Sequence, residues 1–174
     1  LAALALWTLL SVLPKTSRSF PNALVTIQQV KVMLDRGVLL KDIGSSLISV
    51  VSGYCIGFGL ALPVAILMAW YVPVRNILQP WILFIRNIPP LAYVPLIVMT
   101  VGVGRPPQIV VITIATFLTM CITIYQGVVN IDTTLVRAAR VLGAKDKDIF
   151  VRVIAPASLP FILTAARLGA STAL

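Results

Sequence analysis

The chain has 174 residues, 59% of them hydrophobic and 11% charged, with 14 basic against 5 acidic side chains and a net charge of +9. A soluble domain carries roughly a quarter of its residues as Asp, Glu, Lys or Arg, so a single soluble globule is excluded, in keeping with the mean hydropathy of +1.03. There is no histidine, which removes the commonest metal ligand and the usual neutral-pH acid–base group.

The few charges are unevenly spread. Asp42 and Arg75 are separated by 32 uncharged residues, Arg105 and Asp132 by 26, and Arg86 and Arg105 by 18. A bilayer-spanning helix needs ~20 mostly apolar residues, so this is a polytopic, all-α membrane protein. Asp35, Asp42, Asp132, Asp146 and Asp148 all lie outside the apolar runs, leaving no carboxylate for a proton relay at membrane depth. Cys55 and Cys121 each sit within an apolar run, which indicates neither a disulfide framework nor a zinc cluster. Because the basic residues flank spans, lipid headgroups or a protein partner are their expected counterparts, not nucleic acid.

In chain order, Leu1–Leu13 reads as a partial span ending at Pro14, without the basic start and small-residue cleavage site of a secretory signal. Phe161–Leu174 stops within an apolar segment, so the expectation is a fragment truncated at both ends, with about five spans of which the first and last are incomplete. Lys15, Arg18, Lys31, Arg36 and Lys41 are interspersed with Ile27, Val30 and Leu34, the spacing of an amphipathic surface helix that Gly37 interrupts. The next span runs from about Ile43 to Tyr71 and closes at Pro73. In it Gly53, Gly57, Ala61, Ala65 and Ala69 recur every four residues, a smooth stripe suited to close helix packing in lipid.

The third segment, Ile77–Val103, contains Pro80, Pro89, Pro90 and Pro95, and the Pro89-Pro90 pair is expected to break the helix at Asn87-Ile88. Broken helices at membrane depth belong where backbone is buried in protein or lines a wet cavity. Gly102, Gly104, Pro106 and Pro107 read as a tight turn before a fourth span, Gln108–Val129. Its Thr113, Thr116, Thr119 and Thr123 either line a pathway or bond back to their own helix. Residues 130–156 then concentrate the charge. Asp132 suits an N-cap for a helix Thr133–Leu142, and Gly143 suits the residue just past its end. Leu135, Ala138, Ala139 and Leu142 share one face, Arg137 and Arg140 another. Asp146 is read as the cap of a second short helix with an apolar edge of Ile149, Phe150, Val153 and Ile154, stopped by Pro156. A DNA-binding helix-turn-helix has this outline, but here both flanks are spans.

Two arginines fall inside spans. Arg86 lies 11 residues past Arg75, and Arg167 lies 11 past Pro156; each interval is roughly 16 Å of helix. An arginine at that depth costs at least ~2.5 kcal/mol and faces protein or water. Either these two cap carbonyls freed at Pro89-Pro90, or they meet an anionic solute in transit.

The spacing of Arg137-Ala138-Ala139, Gly143, Val153 and Pro156 resembles the cytoplasmic loop of ATP-binding-cassette (ABC) importer permeases, whose pattern is Glu-Ala-Ala, three residues, Gly, nine residues, Ile-x-Leu-Pro. Arg137, Val153 and Ala155 depart from it. Arg137-Ala138-Ala139-Arg140-Val141-Leu142-Gly143-Ala144 is similar to the version in the nitrate, sulfonate, taurine and bicarbonate branch. The Arg86-Asn87-Ile88-Pro89-Pro90-Leu91-Ala92 stretch, Gly102-Val103-Gly104 and Gly127-Val128-Val129 resemble the same branch. The resemblance implies a type I importer permease in the inner membrane, with residues 1–174 a single transmembrane domain and 130–156 its coupling loop. It further implies a second permease subunit, expected to be an identical copy, a cytoplasmic ATPase dimer, an external solute-binding protein and a small anion as cargo. The chain has no phosphate loop, so ATP is expected on the partner and no cofactor on this chain. If the loop is cytoplasmic, six basic residues lie on each side, and positive-inside counting decides nothing. Two other classes compete: an ion- or proton-coupled secondary transporter, which lacks intramembrane acids here, and a membrane-embedded enzyme, which lacks an acid–base pair.

Overall fold

The computed structural model describes residues 23–174, which form eight α-helices and one π-helical turn, with no strand among the described residues. The expected first span Leu1–Leu13, Pro14, Lys15 and Arg18 lie outside the described residues. The chain divides into two units, Leu1–Leu47 and Ile48–Leu174.

In the first unit, helix α1 (Ala23–Asp35) ends in a turn at Gly37, whose N–H donates to the Leu34 carbonyl at 2.9 Å. Ile27, Val30 and Leu34 are all exposed, an apolar stripe open to its surroundings. Helix α2 (Val38–Trp70) begins here, five residues before the expected start. Its 33 residues make roughly 50 Å of helix, against ~30 Å of hydrocarbon. The first turns, with Lys41 and Asp42, therefore extend past the apolar layer, and the charges do not oppose helix formation there.

The second unit holds the rest of α2 and everything after it. Pro73 does not close that span: only Tyr71 lies outside helix, and Pro73 opens α3 (Val72–Arg86). Proline suits a first turn because the N–H it lacks would have no partner there. Helix α3 stops at Arg86 and α4 (Pro90–Val101) leaves at 98° to it, the break expected at Pro89-Pro90. The same first-turn tolerance places Pro106 and Pro107 inside α5 (Arg105–Val129), not in a turn before it.

Helix α5 is the centre of the unit. Met120, Cys121, Ile122, Ile124 and Tyr125 are all buried, so it is covered on nearly every side, as expected of a helix that is apolar all round. Helices α3, α4 and α8 pack on it. Beyond it come α6 (Thr133–Val141), α7 (Asp146–Ile149), a π turn (Phe150–Ile154) and α8 (Ala155–Ala173).

Pro156 does not end the helix begun at Asp146, contrary to the sequence expectation; the helical path is continuous from Asp146 to Ala173. In an α-helix its ring would clash with the carbonyl four residues back, that of Arg152. The wider turn just before it relieves that clash: the Ala155 N–H donates to the Phe150 carbonyl, five residues back. Three described helices are long and apolar enough to cross a membrane, or four if the bent α3–α4 pair is counted as one span.

Candidate functional site

The small-residue stripe of α2 faces α5. Gly53, Gly57, Ala61 and Ala65 are buried, and a Cβ built on Gly53 would stand 2.8 Å from the Ile112 Cβ. One built on Gly57 would collide with the Thr116 hydroxyl. The closeness lets Thr113 Oγ1 donate across the seam to the Gly53 carbonyl at 3.3 Å. Ala69, the last of the expected stripe, is only half-buried, and Met68 takes the inward place. At 3.6 residues per turn, each four-residue step rotates about 40° past a full turn. A strict four-residue repeat therefore drifts off the seam, and one three-residue step corrects it.

The α5–α8 contact is built from glycines that the stripe pattern did not include. Gly169 of α8 receives the Met120 side chain, and Gly127 of α5 receives the Phe161 ring, each with no room for a Cβ. The two helices thus interlock reciprocally. Tyr54 Oη ties α2 to α8 by donating to the Ala166 carbonyl at 3.1 Å. A lone glycine per helix carries no periodicity, so neither site was visible in the sequence.

Three of the four α5 threonines donate to helix backbone. Thr116 Oγ1 donates to Ile112 O at 2.7 Å and Thr123 Oγ1 to Thr119 O at 2.8 Å, both in their own helix, while Thr113 crosses to α2. At the broken span, the Asn87 and Ile88 amides donate to Phe84 O at 3.2 Å and Ile85 O at 3.0 Å. Backbone, not a guanidinium, takes those two carbonyls. Arg86 and Arg167 are both exposed, and among the described residues neither side chain has a hydrogen bond or ion pair. They stand on α3 and α8, which both pack on α5; Pro89 and Pro90 flank the bend.

The charged loop is organised by its own backbone. Asp132 caps α6, accepting from the Thr134 N–H at 2.8 Å, and its carboxyl is held below the ordinary carboxylate range by the Thr134 side chain and backbone. At the other end Gly143 adopts φ +82, its N–H donating to Arg140 O at 3.0 Å and the Ala144 N–H to Ala139 O at 3.0 Å. That paired arrangement closes a helix around a left-handed residue. Asp146 is not the cap of α7: Lys145 holds that position, and the Asp146 carboxylate instead accepts from Arg140 at 3.4 Å across the turn. Arg137, Ala138, Arg140 and Gly143 are exposed, Ala139 and Val153 half-buried, Pro156 exposed. The apolar edge of α6 is also open, with Leu135 50% and Leu142 86% exposed.

Residues 57–174, the broken span and this loop included, match the family of binding-protein-dependent transport system inner membrane components. The chain belongs to this family of ABC transporter permeases. It is 47% identical to a probable ABC transporter permease protein of Brucella melitensis over 153 residues, 88% of this chain and 62% of that one. Against the taurine transport system permease protein of Escherichia coli it is 40% identical over 108 residues, 62% of this chain and 39% of the relative. Against the bicarbonate transport system permease protein of Synechococcus elongatus it is 30% identical over 178 residues, 97% of this chain and 64% of the relative. The permease spans less than two thirds of the length of each of these relatives. It is a multi-pass protein of the inner membrane.

The sequence reading also missed the join between the loop and the membrane helices. The Phe150 and Trp70 rings meet edge-to-face, their centroids 5.4 Å apart and their planes at 88°. The signal available was Pro156 within an apolar pattern that continues past it, where a loosened turn is one way for a helix to contain it.

Proposed function

We propose that this permease is the membrane-spanning subunit of an ATP-driven importer for a small anion of the taurine, sulfonate, bicarbonate or nitrate kind. Arg86 carries the anion reading. It is a permanent cation at the end of a helix broken by Pro89-Pro90, exposed, and without a partner among the described residues. No acid stands in α3, α4 or α5 to neutralise it, and a guanidinium is suited to planar or tetrahedral oxyanions. Arg167 is a second such cation on α8. The names of the taurine and bicarbonate relatives agree with an oxyanion cargo.

The loop 130–156 is the coupling element of this reading. Leu135, Val141 and Leu142 on a short, charged helix between spans suit a groove on a soluble partner. That partner is a cytoplasmic ATPase dimer, which binds the ATP; an external solute-binding protein delivers the anion, and a second copy of the permease completes the pathway. A rigid-body shift of the loop then tilts the helices to which it is joined.

The test is uptake by the full-length protein, reconstituted with its ATPase and binding protein, using labelled taurine, bicarbonate and nitrate as probes. Arg86→Gln is expected to lose uptake of the transported probe while the complex stays assembled and hydrolyses ATP. Unchanged uptake would make Arg86 a structural residue. Failure of the ATPase to co-purify would favour a secondary transporter instead.

A further inference from the structure

The structure assigns Trp70 and Phe150 as the positioning pair that transmits movement of the 130–156 loop into α2, an inference that rests on the coupling role proposed above. Besides its short join to α5 through residues 130–132, the loop meets the membrane helices by two routes. One is covalent: α7 runs through the π turn into α8. The other is the ring contact, in which Phe150, first residue of the π turn, meets Trp70, last residue of α2. The neighbourhood is built to make Phe150 move with the loop. Ile149 beside it is 2% exposed, and α6 packs on the π turn.

The two routes differ in stiffness. A π turn holds a surplus residue in the helix, so a push along α7 can be absorbed by sliding the surplus instead of moving α8. An edge-to-face ring contact has a preferred geometry and leaves that geometry only by displacing one ring or the other. Motion that the π turn would absorb is thus passed sideways to Trp70. From Trp70 it enters α2, a helix held rigidly against α5 by Gly53 and Gly57 and tied to α8 through Tyr54. At the other side of Trp70 only Tyr71 lies outside helix before α3, with Arg75 N–H donating to Tyr71 O at 3.0 Å. The displacement therefore also reaches α3, which ends at Arg86.

The experiment uses the full-length protein with its ATPase and binding protein in proteoliposomes, reading ATP hydrolysis with and without the binding protein and uptake of labelled taurine, bicarbonate and nitrate. Trp70→Leu and Phe150→Leu keep apolar bulk and remove the rings. Each is expected to preserve assembly and basal hydrolysis while cutting stimulation by the binding protein at least fivefold. The double variant is expected to be no worse than either single, and the exchange Trp70→Phe with Phe150→Trp to regain at least half the stimulation. Stimulation within twofold of the unsubstituted complex, multiplying defects in the double variant, or loss of assembly in both singles would overturn the assignment. Gly143→Pro in the same membranes separates the two levels. If it leaves stimulation intact, the coupling role of the loop falls and this inference with it. If Gly143→Pro uncouples while the ring variants do not, only the ring pair fails.

Discussion

The seam between α2 and α5 and the turn between α6 and α7 both depend on glycine, for opposite reasons. At Gly57 the backbone is ordinary helix and the missing atom matters for space, because a Cβ would strike the Thr116 hydroxyl. At Gly143 space is free, with nothing within 4 Å of a built Cβ, and φ +82 is what matters. The seam therefore responds to volume and the loop to backbone conformation. A change in the first registers as stability; a change in the second registers as transmission with stability nearly intact.

The sharpest break is Gly57→Leu against Gly59→Leu. The residues are two apart on α2, but a Cβ on Gly59 meets nothing within 4 Å. Gly57→Leu is expected to cost at least the upper end of the ~1–3 kcal/mol typical of overpacking a core, visible as loss of the assembled protein in detergent thermal-shift assays. Gly59→Leu is expected to leave the midpoint within a few degrees. Equal losses would abolish the seam. Next in size is Gly143→Pro, which removes the N–H donated to Arg140 O and imposes a negative φ. Membrane insertion is expected to be normal and uptake absent. Gly143→Ala tests conformation alone, with about 1 kcal/mol of strain and a partial loss of uptake.

Smaller still is Arg140→Glu. The ion pair with Asp146 has both side chains well exposed, at 67% and 76%, so little stability is lost. Uptake is expected to fall while the thermal midpoint holds, and a fall in both together would place Arg140 with the seam residues. The smallest effect is at Asp132. Its folded pKa is depressed by the Thr134 hydrogen bonds, so the cap contributes above the ordinary carboxylate range and is lost as pH falls through the depressed value. The protection factor of the Thr134 amide, its exchange rate referred to the intrinsic rate at the same pH, is expected to fall at that low pH and in Asp132→Ala at neutral pH, with the α2–α5 protection factors unchanged.

Much of this architecture is fixed by chemistry that reads locally. The long uncharged runs require spans because lipid admits no unpaired backbone, Pro89-Pro90 breaks a helix wherever it falls, and Asp132 and Gly143 delimit α6 by bonds to their near neighbours. The four-residue stripe told of a seam, but not that α5 was its partner or that Met68 would replace Ala69 at its end. Tertiary structure decided the rest. Pro73, Pro106 and Pro156 all read as a stop or a turn, yet each lies within helix. A proline ends a helix only when the freed carbonyl and the ring clash have no other relief, and first-turn placement or a π turn supplies it. The glycine sockets for Met120 and Phe161, and the meeting of Trp70 with Phe150 across 80 residues of sequence, depend on which helices lie side by side. Helix adjacency is a property of the packed bundle, and in lipid it is settled by how closely surfaces fit, which no single segment encodes.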